Sequence, residues 1–319
     1  MTCKYFQGVV SDKTWRGRNS FPLPGPRRDE TGRAGSHGRT PEIPARIKLN
    51  TRNRGSPPVR GHLQGAATYS TLHLLRELIR RDVQARFTGS ALGVTWAVIQ
   101  PLSLVALYWF VFTYMIPGGR LGVGGDAYVY FLIAGLLPWL GFNESLTRST
   151  TAIVDHAAVV RRLPLRSELL VVVPNASAMI FQVVALTLFL VILLIRGMPL
   201  HQLWILPVAL FVQFTLQLGI GFMLAAVYVF FRDLGQLMGF LLSVLFYLSP
   251  ILYSVSGRFE AYFFWNPLTP LLGLFRSAML ASPLPDAPSI VFLLTVAAMV
   301  FAGGLFFFRR LQPSLVDII

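Results

Sequence analysis

Six stretches of this chain are too long and too apolar for a fold surrounded by water: residues 92–116, 128–142, 169–195, 203–231, 237–253 and 290–308. A hydrocarbon core of about 30 Å requires roughly 20 mostly apolar residues per helix. The second stretch is short and needs Gly125 to Ala127 or Asn143 to Leu146 to complete a crossing. Pro101, Pro138, Pro174 and Pro207 fall inside or near the ends of these stretches. Carbonyls freed by proline are tolerated in a bilayer when neighbouring helices satisfy them, so the helices are expected to pack on one another. The expectation is an all-α integral membrane protein with six transmembrane helices. Only 13% of the residues are charged, against about 25% in soluble domains.

The net charge of +14 would suit a soluble nucleic-acid binder, but the apolar bulk would not, and no nucleic-acid partner is expected. The charge is also unevenly placed. Residues 1–70 hold 13 basic and 4 acidic side chains, and residues 71–319 hold 15 and 10. The first segment is rich in Pro, Gly, Ser and Arg without a sustained apolar period, so it is expected to be disordered. It reads as an arm attracted to anionic headgroups or a partner, as a solvated tail with no role, or as the product of a misplaced start codon. The only cysteine is Cys3, which excludes an intrachain disulfide and leaves no thiolate metal site to build.

From Thr71 the pattern changes. Leu72, Leu75, Ile79 and Val83 recur at steps of three and four with Leu78 beside them, while Arg76, Glu77, Arg80, Arg81 and Gln84 hold the other side. This spacing predicts an amphipathic helix with a cationic face. Just before an apolar stretch, such a helix is expected in the cytoplasmic headgroup plane; packing on a partner domain is a compatible alternative. Loop charge sets the orientation. With the N-terminus inside, eleven arginines of the 71–319 region fall on inner segments and four (Arg120, Arg196, Arg258 and Arg276) on outer ones, so both termini are expected in the cytoplasm.

Phosphate-cradling GxxxxGK[ST], HExxH and GxSxG are absent from the sequence. No catalytic residue, metal site or bound cofactor is assigned, and the chain is not expected to hydrolyse ATP. Apolar stretches nearly free of acidic residues also lack the carboxylates of an ion-coupled transporter, so uphill movement would need energy from a partner. An enzyme acting on polyprenyl-linked sugars would need polar groups gathered at one membrane face, whereas Glu144, Asp155 and Asp233 are few and dispersed. Proline-broken spans argue against a purely structural scaffold.

LLRELIRRDVQARFTGSALGVTWAVIQPLSLVALYWFVF, FRDLGQLMGFLLSVLFYLSPILYS with WNPLTPLLGLFRSAML, and the ending FFFRRLQPSLVDII occur in that order. Together they resemble the ABC-2 type permeases that export polysaccharides and polyol-phosphate polymers such as O-antigen, capsule and teichoic acid. The resemblance runs from Leu72 to Ile319. The long segment ahead of it is a departure, since these permeases begin a short distance before the interfacial helix.

The resemblance implies a multi-pass permease of the bacterial cytoplasmic (inner) membrane that forms a homodimer and binds two copies of an ABC ATPase subunit, which carry the ATP and Mg. Its substrate would be a lipid-linked glycan; a lipid or hydrophobic drug is the alternative cargo. The family's coupling helix falls on the segment with Val154, Asp155, His156, Val160, Arg161, Arg162 and Leu163. Ile153, Val154, Ala157, Val160 and Leu163 there form a short apolar run ended by Pro164. That fits docking of a helix in a groove, or an ordinary positive inner loop. Arg76, Arg80, Arg81 and Arg86 would meet the lipid phosphate at the entrance. Arg232 and Asp233 read as a locally paired helix end. Pro267 and Pro270 are expected to break the segment before the last span into two short helices re-entering the outer leaflet. Trp96, Tyr108, Tyr262, Phe263 and Trp265 are candidate channel or gate aromatics, or members of an interfacial belt.

Overall fold

Without water to pair with, a spanning segment must satisfy its own backbone N–H and C=O groups, and a helix does so within one segment. The computed structural model describes residues 71–90, 92–111, 114, 125–157, 167–254 and 263–318. The 1–70 extension lies outside them. Eight α-helices are described: α1 (Thr71–Ala85), α2 (Trp96–Phe110), α3 (Gly125–Asp155), α4 (Glu168–Ile195), α5 (Ile205–Phe230), α6 (Leu234–Leu248), α7 (Leu268–Leu280) and α8 (Ala287–Ile318). There is no strand among the described residues.

Among the described residues, four helices are long and apolar enough to cross a membrane: α3, α4, α5 and α8. The 15 residues of α2 and of α6 each reach about 22 Å, less than the hydrocarbon thickness. Ser249 and Pro250 follow α6 as a turn. α3 is central, with 72% of its most apolar window buried against 17% for α8. α8 packs chiefly on α5, with which it makes the most extensive helix contact.

The second apolar stretch completes its crossing with residues 125–127 and 143–146, as expected, and α3 runs further, to Asp155. Its polar second half persists because tertiary partners satisfy it. Pro270 does not break α7; it sits in the first turn, where its missing N–H would have no helical partner anyway. Residues 255–262 lie outside the described residues.

A buried polar seam joins α3, α4 and α5. Asn175 accepts from Ser145 Oγ and donates to Ser149 Oγ at 2.6 Å and to the Val171 carbonyl at 2.7 Å. Further along, Gln182 and Gln213 exchange two bonds of 2.8 Å, and Gln213 donates to the Pro138 carbonyl at 3.1 Å. Gly141 makes room for this pair, since a Cβ there would overlap the Gln182 amide. Interhelical polar bonds in membranes contribute about 0.6 kcal/mol on average, and orphaning a buried partner adds to the loss. Asn175→Ala strands two hydroxyls and is expected to cost about 1 to 2 kcal/mol, measured as a lower unfolding midpoint in detergent.

Candidate functional site

At the end of the bundle that carries α1, four ionised side chains from two segments meet. Arg148 Nη2 of α3 lies 2.5 Å from Asp82 Oδ1 of α1, and its Nη1 lies 3.8 Å from Glu144 Oε1 one turn earlier. Arg86, just after α1, pairs with Glu144 and holds its guanidinium 4.1 Å from the centre of the Phe181 ring on α4. The Asp82 and Arg148 side chains are 16% and 30% exposed, so this cluster is only partly screened by water. Burial lowers the Arg86 guanidinium to about 10, assisted by neighbouring Arg148 and opposed by Asp82. It remains cationic at neutral pH.

Beside the cluster lies a cavity of about 350 Å³ between α1, the end of α3 and the start of α4. Arg81, Asp82, Arg148, Asp155 and His156 contribute its polar lining. His156 Nδ1 is 2.9 Å from the Ala152 carbonyl, an acceptor, so Nδ1 carries a proton. The last helix returns to this end as well: Arg309 Nε lies 3.1 Å from Glu168 Oε1 at the start of α4. Arginines on three helices or their flanks thus collect at one end.

The four expected entrance arginines divide. Arg76, Arg80 and Arg81 are exposed on α1, with Arg80 and Arg81 both near Glu77. The bond from Arg81 is the main reason the Glu77 carboxyl is held below its ordinary value. Exposed pairs of this kind add little stability and leave the cations facing outward. Arg86 is different, being committed to Glu144 and Phe181. Of the expected coupling residues, Val154 ends inside α3 while Asp155 and His156 are exposed at its tip; Val160, Arg161, Arg162 and Leu163 lie outside the described residues. Arg232 and Asp233 form no ion pair with each other. The Arg232 guanidinium instead stands 5.6 Å from the Tyr228 ring centre, and Asp233 occupies the position before α6.

The candidate aromatics do not converge. Trp96 lines a narrow cavity of about 150 Å³ near Arg86, Gln100 and Phe181, and Tyr108 is partly buried against the core. Phe263 and Trp265 line a different cavity, of about 670 Å³, at the opposite end; Tyr262 lies outside the described residues. This larger cavity also contains a residue that the positive-inside pattern counts among the outer charges. Arg276 is buried in α7, over the Phe131 ring. A signal existed in the sequence: a single arginine inside an otherwise apolar helix.

The sequence model of the ABC-2 type transporter family matches residues 73–280, which takes in every helix from α1 to α7 apart from the first two residues of α1. An O-antigen export system permease protein, RfbA, of Myxococcus xanthus is 29% identical over 253 residues, covering 76% of this chain and 94% of that protein. An RfbA of Klebsiella pneumoniae is 25% identical over 77% of this chain and 95% of its own length. The polysialic acid transport protein KpsM of Escherichia coli is 22% identical, covering 75% and 93%. With the family model spanning well over half of its length, and with its long apolar helices in the expected order, the chain belongs to the ABC-2 type transporter family.

Proposed function

We propose that this chain is the channel-forming permease subunit of an ATP-driven exporter that moves a lipid-linked polysaccharide across the bacterial inner membrane. The observation that carries the reading is the similarity to permeases named for O-antigen export and polysialic acid transport across 93–95% of their lengths. The sequence has no phosphate-binding loop, so ATP and Mg belong to a separate ATPase subunit. Two permeases and two ATPases would make the transporter, with the glycan passing between the permeases.

The reading includes six spans with both termini in the cytoplasm. On that reading α2 and α6 cross with the help of their flanking residues. The gathering of Arg80, Arg81, Arg86, Arg148 and Arg309 at the α1 end supports placing that end inside. Outward-facing Arg76, Arg80 and Arg81 would draw the lipid phosphate to the entrance, while Arg86 braces α1 against α3. The tip of α3 at Val154, Asp155 and His156, continuing to Val160, Arg161, Arg162 and Leu163, would dock in the ATPase. A push there would travel along α3, a single rigid helix from the dock into the core. ATP drives transport only if nucleotide states bind different permease conformations unequally.

Deleting the gene is expected to remove the surface polysaccharide while lipid-linked polymer accumulates inside the cell. Normal surface polymer without internal accumulation, scored by surface labelling and by extraction of lipid-linked glycans, would overturn the reading.

A further inference from the structure

Arg276 is 8% exposed. Its guanidinium carbon lies 3.6 Å from the centre of the Phe131 ring. Nη2 donates to the Ile251 carbonyl at 3.0 Å and Nε to the Phe131 carbonyl at 3.4 Å. Gly135 on α3 makes the space, because a Cβ there would stand 2.8 Å from Nη2. Among the described residues no carboxylate lies within ion-pair distance of this cation. Carbonyl dipoles and a ring face orient a guanidinium but do not neutralise it, and a buried charge without a counter-ion is costly enough to mark a functional position.

The surroundings show what would supply the missing charge. Arg276 lines the 670 Å³ cavity at the end opposite α1, a size within the usual range for small-molecule sites. Thr269 lines it too, and its buried Oγ1 has no hydrogen-bond partner. Phe264 and Trp265 lie on its wall, edge to face with each other at 5.8 Å, and Trp265 is 73% exposed. Asp286 is also present and accepts from Ser289 Oγ at 2.8 Å. A bare anion would be repelled by Asp286. A ring carrying both a negative group and hydroxyls suits every component: anion to Arg276, hydroxyls to Asp286 and Thr269, and an apolar ring face to the exposed indole.

We propose that this cavity binds an acidic sugar unit of the uronic-acid type, with its carboxylate at Arg276 and its ring against Trp265. The inference rests on the export reading for the origin of that unit, a glycan passing the outer end of the permease. Arg276 would hold an acidic residue of the emerging chain and oppose its return.

The full chain in phosphatidylcholine nanodiscs would be titrated with trigalacturonate and with neutral maltotriose by calorimetry. Saturable binding of trigalacturonate at least tenfold tighter than that of maltotriose is expected, weakening with salt. Arg276→Gln should weaken it by about 10- to 100-fold. Because Arg276 also ties α7 to neighbouring segments, Trp265→Ala provides an independent test at an exposed position. It should weaken binding about fivefold with an unchanged unfolding midpoint. Equal affinity for the two trisaccharides, or acidic binding indifferent to Trp265→Ala, would overturn the site. So would displacement of trigalacturonate by phosphatidylglycerol added to the nanodisc, which would assign the arginine to a lipid phosphate. If trigalacturonate fails to bind while gene deletion still removes surface polymer, the site inference falls and the export reading stands. If it binds as expected while deletion leaves surface polymer normal, the site stands and its source is not an exported glycan.

Discussion

Gly219→Val is expected to prevent this chain from reaching its folded state in the membrane. A Cβ at Gly219 on α5 would lie 2.5 to 2.6 Å from backbone atoms of Val300 and Phe301 on α8, and a Cβ at Gly304 would overlap the Gly219 carbonyl. Both obstacles are main chain, so no rotamer change can relieve them and the helix axes must separate. α8 has little else to hold it, since only 17% of its most apolar window is buried. Separation would also pull apart the Phe222–Phe308 and Phe222–Phe301 ring contacts, at 5.4 and 6.4 Å. Small residues at such crossings let membrane helices gain van der Waals contact that lipid would otherwise match. Overpacking a tight interior costs about 1 to 3 kcal/mol and occasionally more; with backbone on both sides, about 3 kcal/mol or more is expected for valine and less for Gly219→Ala. Gly303→Ala is the control, because a Cβ there makes only an ordinary 3.5 Å contact with Met223. Membrane-inserted yield and the unfolding midpoint in detergent would check the series. Wild-type values for Gly219→Val would refute the close-approach argument.

That crossing marks the limit of what is legible in the sequence. The apolar runs predict the long helices because burial in lipid imposes one requirement on every residue of a span. The steps of Leu75, Ile79 and Val83 likewise predict α1, a surface helix with two unlike faces. Pairing is another matter: Gly219 and Gly304 are separated by 84 positions, and nothing local says that they touch. The far end of α3 is hidden for a related reason. Glu144, Ser145, Arg148 and Ser149 look like the start of a loop until Arg86, Asp82 and Asn175 are placed against them. Arg276 is hidden differently. Topology counts it as one outer charge among four, and only the packing of α7 on Phe131 and Gly135 shows it to be enclosed.

Reversing the charge of Arg148 is expected to abolish export while leaving the spans inserted. Asp82, Arg86, Glu144 and Arg148 balance two positive against two negative charges. Arg148→Glu leaves Arg86 facing three carboxylates, and α1 loses the Asp82–Arg148 tie to α3. Breaking a fully buried pair costs about 3 to 5 kcal/mol; with these side chains 16% to 32% exposed, about 2 kcal/mol is a fair discount. That is enough to release α1 more than 90% of the time if its docking is only marginally favourable, since 1.4 kcal/mol is a factor of ten. Glu144 and Arg148 lie in the polar second half of α3, beyond its apolar first half, so membrane level should stay near wild type. On the docking proposed for the α3 tip, transport should fail: Asp155 lies about 10 Å further along the same helix, and a push there would no longer reach the arginines of α1. Asp82→Arg in the Arg148→Glu background again balances two positive charges, now both on the α1 side, against two negative ones on α3, and should recover part of both docking and export, a coupling that the double-mutant cycle measures directly. Docking can be read by maleimide labelling of Leu78→Cys beside the α1 cavity in a Cys3→Ser background, because Cys3 is the only native cysteine. Arg148→Glu should raise the labelling rate and the reversed pair should lower it again. Wild-type export from Arg148→Glu, or a reversed pair no better than the single change, would show that the cluster does not link α1 to the movement of α3.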